Sequence, residues 1–278
     1  MSRFTRVYLE ITNVCNLRCS FCPGTKRQPR FLSVPEFETL CARLRGFTDY
    51  LYFHLMGEPL LHPELPQLLD TAGALGFQVN LTTNAVLLDA RMAALLCASP
   101  ALHRVNLSLQ AFEGNALTMS LHNYVNRCAD FARAGGAAGK LVSLRLWNGG
   151  GADTRNGEIL EKLHAAFPDP WQPAQRNTVL APGVFFEAAE KFDWPEPEAE
   201  VSGAAFCLGL RNHIGVLCDG TVVPCCLDSE GRLALGNLFE TPLEEILSSA
   251  RAKAIYDGFS RRQPSEELCK HCGYAARF

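Results

Sequence analysis

No stretch of this sequence is long and apolar enough to cross a bilayer as a helix, and no signal-peptide core follows the opening Met1-Ser2-Arg3-Phe4-Thr5-Arg6. Neither a helical membrane protein nor a secreted precursor is expected, and the chain reads as cytoplasmic. Charge of one sign is also missing: 26 Lys and Arg stand against 29 Asp and Glu, for a net charge of −3. That balance gives no electrostatic footprint for nucleic acid. The basic residues near the C-terminal end, Arg251, Lys253, Arg261, Arg262, Lys270 and Arg277, are interspersed with Asp257, Glu266 and Glu267 and read as a solvated face. Internal repeats and low-complexity tracts are absent, and Gly149-Gly150-Gly151 is a local loop. What remains is an ordinary globular composition, 47% apolar and 20% charged, over 278 residues. That length suits one large domain or one and a half.

Cysteine is what the chain has in quantity. Twelve cysteines without a secretion signal point to metal binding more than to disulfides. Three stand in Cys15-Asn16-Leu17-Arg18-Cys19-Ser20-Phe21-Cys22, a C-x3-C-x2-C spacing. A structural zinc site is closed by four ligands, whereas three leave a metal position open for chemistry. A [4Fe–4S] cube held by three thiolates likewise keeps one iron for an outside ligand. The loop follows an apolar, β-branched run over Val7–Thr12, read as a first strand. The metal would then sit at the C-terminal end of a strand, where α/β folds keep their active sites. On spacing alone, a zinc-binding or redox-sensing loop is also open.

Downstream, short apolar runs alternate with helical patterns as far as about residue 187. Strands are expected at Tyr50–Leu55, Gln78–Thr82, Arg104–Leu109 and Lys140–Leu146, with a weaker one in Thr178–Glu187. Ser33-Val34-Pro35-Glu36 is a capping box opening a helix to about Arg45. Further helices are expected over Pro63–Leu75, Asp89–Cys97, Asn115–Ala134 and Thr154–Phe167, the last capped by Thr154. Repeated βα units imply a parallel sheet. Pro168, Pro170, Pro173, Pro182, Pro195 and Pro197 then mark a junction, in which Phe192-Asp193-Trp194-Pro195 reads first as packing and otherwise as the lining of a substrate entrance.

Past the junction come Cys207, Cys218, Cys225, Cys226, Cys269 and Cys272. Ile214–Cys218 and Thr221–Cys225 form a hairpin whose Asp219-Gly220 signals a type I′ turn. In that register Cys218 faces Thr221 and Ile214 faces Cys225. Cys218 and Cys225 are then roughly 13 Å apart, too far for one small cluster. Adjacent Cys225 and Cys226 point to opposite faces, so the two are not expected to share a cube. The cysteine spacing by itself also permits a four-cysteine zinc site.

The chain resembles the radical S-adenosylmethionine (SAM) superfamily, whose signature C-x3-C-x-Φ-C (Φ aromatic) puts Phe21 at the aromatic position. Auxiliary-cluster domains of the SPASM and shorter "twitch" type begin C-x(9–15)-G-x4-C, a pattern matched by Cys207, Gly220 and Cys225. A helix from Pro242 to about Tyr256 and then Cys269 and Cys272 follow. The resemblance implies an α/β fold, a partial (β/α)6 TIM-like barrel over residues 1–187. A linker over 188–206 and a small α+β auxiliary-cluster domain (β-hairpin plus helix) over 207–278 complete it. It implies two [4Fe–4S] clusters, an open one on Cys15, Cys19 and Cys22 and a closed one on Cys207, Cys225, Cys269 and Cys272. No cysteine follows Cys272, so a second auxiliary cluster is not expected. Cys218 and Cys226 are left to strand packing, and Cys41, Cys97 and Cys128 to buried apolar positions.

By the same resemblance, Met56-Gly57-Glu58-Pro59 is similar to the G-G-E-P motif that receives the methionyl ammonium of SAM, through Gly57 and the Glu58 carboxylate. The Phe21 backbone would meet the adenine, and Asn84 stands in Thr83-Asn84-Ala85, where the family has Thr-Asn-Gly. Ser108, with Arg145 or Arg127, would bind the SAM ribose or carboxylate. A structural ion pair is the other reading of Arg145, since a buried arginine needs a carboxylate. Glu10 and His54 read as core polar groups, and no catalytic acid or base is named. The implied activity is reductive cleavage of SAM to a 5′-deoxyadenosyl radical, which takes hydrogen from a small-molecule or peptide substrate. A net oxidation aided by the auxiliary cluster is expected, with a flavodoxin- or ferredoxin-type electron donor. The alternatives are a peptide-modifying maturase of the sulfatase-maturating or ribosomal-peptide type, and a non-catalytic metal-binding protein.

Overall fold

A computed structural model describes residues 4–115, 117–151, 153–196, 198, 200–201 and 206–277. Its frame is one eleven-stranded sheet in the order β11-β10-β9-β1-β2-β3-β4-β5-β8-β7-β6. These strands are β1 (Arg6–Leu9), β2 (Tyr50–Phe53), β3 (Gln78–Thr83), β4 (Leu102–Ser108), β5 (Leu141–Gly149), β6 (Gln172–Pro173), β7 (Thr178–Ala181), β8 (Val184–Glu190), β9 (His213–Val216), β10 (Thr221–Val223) and β11 (Gly236–Asn237). Strands β1 to β5 and β8 run parallel in succession, and the sheet does not close. Helices α1 (Val34–Leu44), α2 (Leu65–Ala74), α3 (Ala90–Ala98), α4 (Leu121–Ala137) and α5 (Asn156–Ala166) each follow the strand before them. This is the parallel sheet that repeated βα units imply, left unclosed as in the partial barrel that the resemblance implies. Alternation divides each strand: Val7, Leu51, Leu81, Val105 and Leu107 join the helices' core, while intervening residues face the barrel interior. No helix among the described residues is long and apolar enough to cross a membrane.

Several boundaries move for identifiable reasons. The weak strand at 178–187 is two antiparallel strands, β7 and β8. Helix α5 starts at Asn156 rather than at a Thr154 cap, because the Glu113 carboxylate takes both the Thr154 hydroxyl and the Arg155 amide. Helix α4 starts at Leu121, capped by Ser120, which frees Asn115 for the cysteine loop. The helix expected from Pro242 breaks at Ser249 into α6 (Leu243–Ser248) and α7 (Ala250–Ser260), with the Ser249 hydroxyl capping the second. Cys269 lies in the short α8 (Glu267–Lys270).

The hairpin continues the barrel sheet, since β9 pairs in parallel with β1, Arg6 opposite His213 through Leu9 opposite Val216. Its internal register differs from the expected one by a residue. Val216 faces Val222 and Gly215 faces Val223, and Leu217 bonds to Thr221 rather than pairing through a two-residue turn. Cys218, Asp219 and Gly220 form a three-residue loop with Gly220 at φ +85°. A Cβ there would lie 2.4 Å from the Phe239 ring, so glycine is required twice over. Cys218 therefore belongs to the turn and not to the strand.

Candidate active site

The cysteine loop is zipped at its base and docked on its neighbour. Thr12 Oγ1 donates to the Arg30 carbonyl at 2.8 Å, Asn13 Nδ2 to that of Gln28 at 2.9 Å, and the Arg30 amide to Asn13 Oδ1 at 2.8 Å. The Glu58 amide donates to the Val14 carbonyl at 2.8 Å, fastening the loop to the turn after β2. Gly57 allows that approach: its φ is +78°, and a Cβ would sit 2.2 Å from the Thr12 carbonyl oxygen. Donors already face the thiols. Asn115 Nδ2 lies 3.1 Å from Cys19 Sγ, and the Leu17 amide 3.5 Å from Cys15 Sγ. Burial pushes the Cys15 thiol up to about 11 and raises Cys19 and Cys22 as well. Iron binding would displace those protons, and the N–H donors would stabilise the sulfur charge.

Cys15, Cys19 and Cys22 open on a cavity of about 650 Å³, within the roughly 300–1,000 Å³ of small-molecule sites. Its walls are the inward residues of successive strands: Arg6 and Tyr8, Tyr52 and His54, Thr82, Asn106 and Ser108, Arg145 and Trp147. Phe21, Gly57, Glu58, Asn84, Ser108 and Arg145 all line it. Arg127 does not; it donates to the Val86 carbonyl at 2.9 Å from the outer helix layer. Two buried acceptors on the wall, Asn106 Oδ1 and Gln110 Oε1, have no partner among the described residues. Orphaned acceptors, the tight Gly57 turn and three thiols lining one cavity together fit a donor-bearing ligand such as SAM beside an open cluster.

Three side chains near the cavity have partners within the protein. Glu58, expected to face a ligand's ammonium, spends its carboxylate on the protein, accepting from Leu60 N at 3.0 Å, Thr83 Oγ1 at 2.6 Å and Asn84 N at 2.8 Å. It ties the turns after β2 and β3 together, leaving backbone carbonyls for a cation. Arg145 pairs with Glu187 at 2.9 Å, the structural reading, and lies 4.6 Å from the centre of the Trp147 ring. The Phe21 carbonyl accepts from Trp194 Nε1 at 3.0 Å. Phe192 and Trp194 thus line the cavity as well as packing on each other.

Cys207, Cys225, Cys269 and Cys272 line a second, small apolar chamber with Pro195, Leu233, Phe259 and Leu268. Burial, reinforced by Cys207 and Cys272, pushes Cys269 up to about 12. Burial raises Cys225 too, with Cys226, Cys207 and Cys269 adding to it. The four fit a closed cluster, whose irons would take the thiols as thiolates. Among the described residues no three His, Cys, Asp or Glu side chains converge on a single-ion position. Cys226 faces the other way, onto the main cavity. Cys218 sits beside a buried ion pair, in which Arg27 donates to both Glu10 oxygens at 2.8 and 2.6 Å. The Cys218 amide donates to Glu10 at 3.0 Å, and Arg27 Nε to the Ser229 carbonyl at 2.8 Å. Glu10 thus locks the cysteine loop to the hairpin.

The cavity histidine is neutral. Burial, then Arg145, lowers His54 from 6.5 to about 4; burial, then Arg6, does the same to the nearby His213. Between those values the folded state binds fewer protons than the unfolded state. The associated stability is complete above about pH 6.5 and is lost as the pH falls toward 4, about 3 kcal/mol for each histidine. His54→Gln should flatten the drop in urea midpoint between pH 7 and 4.5.

Comparison with known proteins matches residues 9–141 to the Radical SAM superfamily and residues 207–273 to the SPASM iron–sulfur cluster-binding domain. The GTP 3′,8-cyclase of Chlorobaculum tepidum is 40% identical over 116 residues, 40% of this chain. The chain spans about a third of that cyclase's length. The PqqA peptide cyclase of Rhizobium meliloti is 25% identical over 95% of this chain and 78% of its own. The crystal structure of BtrN in complex with AdoMet and 2-DOIA shares the fold, with a TM-score of 0.65 at 17% identity over 98% of this chain and 94% of that one. With a three-thiol loop at one end of its cavity and a four-thiol chamber behind it, the chain belongs to the radical SAM superfamily, carries a C-terminal SPASM domain, and has [4Fe–4S] clusters and SAM as cofactors.

Proposed function

We propose that this protein removes hydrogen from a substrate held in the 650 Å³ cavity and completes a net two-electron oxidation through one auxiliary cluster. The bound cofactors supply reductive cleavage of SAM to a 5′-deoxyadenosyl radical. Cys15, Cys19 and Cys22 hold the open cluster; Gly57, Asn84, Ser108 and the Phe21 backbone orient SAM, with Asn106 and Gln110 added to the expected set. Cys207, Cys225, Cys269 and Cys272 hold the closed one. With both cofactors bound, their redox chemistry would take one hydrogen atom and one further electron from the substrate, whose remaining proton would leave to solvent. A flavodoxin or ferredoxin supplies the initiating electron.

The adjacency of Cys225 and Cys226 carries this reading. One lines the four-thiol chamber and its neighbour lines the substrate cavity, so a single peptide unit separates electron acceptor from substrate. Anaerobic reconstitution should yield about eight iron and eight sulfide per chain. Cys207→Ala and Cys269→Ala should each retain about half of that iron and still form 5′-deoxyadenosine from SAM under strong reductant. No 5′-deoxyadenosine from the wild type would sink the proposal. A peptide substrate is the second reading, favoured by the alignment with the PqqA peptide cyclase over nearly the whole chain. Product mass decides the reaction class, a loss of about 2 Da marking oxidation.

A further inference from the structure

We propose that Arg6, Tyr8 and Tyr52 form an oxyanion subsite in the main cavity, which takes a carboxylate or phosphate carried by the substrate. This deepens the function proposed above and rests on it for the identification of the ligand as substrate. All three side chains line the cavity. Arg6 and Tyr8 alternate inward on β1, and Tyr8 stands opposite Tyr52 in the β1–β2 register. Arg6 Nη1 lies 3.5 Å from the Tyr8 hydroxyl, its guanidinium 5.8 Å from the centre of the Tyr52 ring, and the two tyrosine rings 5.4 Å apart.

What singles out Arg6 is its company. The groups that raise its pKa are tyrosines, Tyr8, Tyr52 and Tyr274. Among the described residues no carboxylate pairs with Arg6, although it is half-buried. Of the other guanidiniums lining the cavity, Arg145 has Glu187, and Arg18 is exposed to solvent. A partly desolvated guanidinium without an anion is costly, and its planar fork matches an oxyanion. The cavity wall cannot supply that anion. Glu58 is the one carboxylate among its described lining residues, and its oxygens already accept three protein donors. Lys191 and Arg18 line the same cavity elsewhere, so the cavity as a whole attracts anions. Burial holds Tyr8 well above its ordinary range, so its hydroxyl stays a donor.

The subsite's position orients the substrate. Tyr8 and Tyr52 pack with Cys226 on the side of the hairpin, away from the cysteine loop at the far end of β1. An acidic group anchored there leaves the rest of the molecule between the open cluster and the auxiliary one. The reacting carbon is then separated from the charged end by the depth of the barrel strand.

The test uses holoenzyme reconstituted with iron and sulfide and loaded with SAM, titrated calorimetrically with inorganic phosphate and, separately, with acetate. The wild type should bind at least one probe saturably at one site. Arg6→Gln should weaken that binding by about tenfold or more, and Tyr52→Phe by about threefold. Arg6→Lys, which keeps the charge and loses the fork, should fall between. Loss of phosphate binding alone, of acetate alone or of both supports the subsite and names its oxyanion. No saturable binding by the wild type overturns it, as does equal binding by wild type, Arg6→Gln and Tyr52→Phe. Circular dichroism and iron content report the folding of each variant, and Tyr52→Phe is nearly isosteric. Wild-type 5′-deoxyadenosine formation, measured on the same preparation, reads the radical SAM chemistry separately, so failure of one is distinguishable from failure of the other.

Discussion

Gly57→Ala is expected to lower 5′-deoxyadenosine formation by about 100-fold or more, whereas Gly46→Ala should leave it near the wild-type rate. Both glycines hold positive φ, +78° at Gly57 and +87° at Gly46, so each alanine meets the same left-handed penalty of about 1–2 kcal/mol. The surroundings differ. Gly46 has nothing within 4 Å of a new Cβ, while at Gly57 the Cβ would lie 2.2 Å from the Thr12 carbonyl oxygen and 3.0 Å from the Asn13 carbonyl carbon. Those are backbone atoms of the cysteine loop and cannot swing aside. The loop must lift, breaking the bond from the Glu58 amide to the Val14 carbonyl. A shift of about 1 Å between the cysteine loop and the turn after β2 is enough for the stated loss. Similar rates in the two variants would show that the turn and the loop are not coupled.

The second large effect concerns stability. Glu10→Ala should cost about 3–5 kcal/mol, because it strands the Arg27 guanidinium and leaves the Cys218 amide without its acceptor. Replacing both partners, as in Glu10→Met with Arg27→Met, should cost much less, since no buried charge is left unpaired. Urea unfolding of the two variants and the wild type checks this through the midpoint at constant slope. A double variant as unstable as the single would show that packing, rather than charge, holds the hairpin against the cysteine loop.

The βα rhythm is legible in the sequence because each parallel strand is a short apolar run between capped helices. Gln78–Thr82 extends by one residue to Thr83, and the Ser33 capping box opens α1 as expected. The hairpin register is not legible, because Asp219-Gly220 favours a two-residue turn when read locally. Pairing of β9 with β1 and the crowding of Gly220 by Phe239 select the three-residue loop. Cys225 and Cys226 line different chambers as expected, but not by strand alternation: β10 ends at Val223, short of the expected Cys225, and both cysteines lie in the bend and turn beyond it. The polar cavity wall is harder to read. Arg6, Tyr8 and Asn106 look like ordinary strand residues until the curvature of the sheet shows which side is inside. Glu58 illustrates a different limit: its position in Gly57-Glu58-Pro59 marks the right turn, but whether a carboxylate serves a ligand or the protein depends on Thr83 and Asn84, more than twenty residues away.

The pairing of β9 along β1 also bears on the exposure of the sheet edge. Without residues 207 onward, β1 would end the sheet with a bare row of amides and carbonyls on a strand whose Val7 and Leu9 are fully buried. Such an edge is a template for pairing with another chain. The hairpin therefore covers a sticky margin. A core cut free of it should be handled as an aggregation-prone fragment rather than as a simpler enzyme.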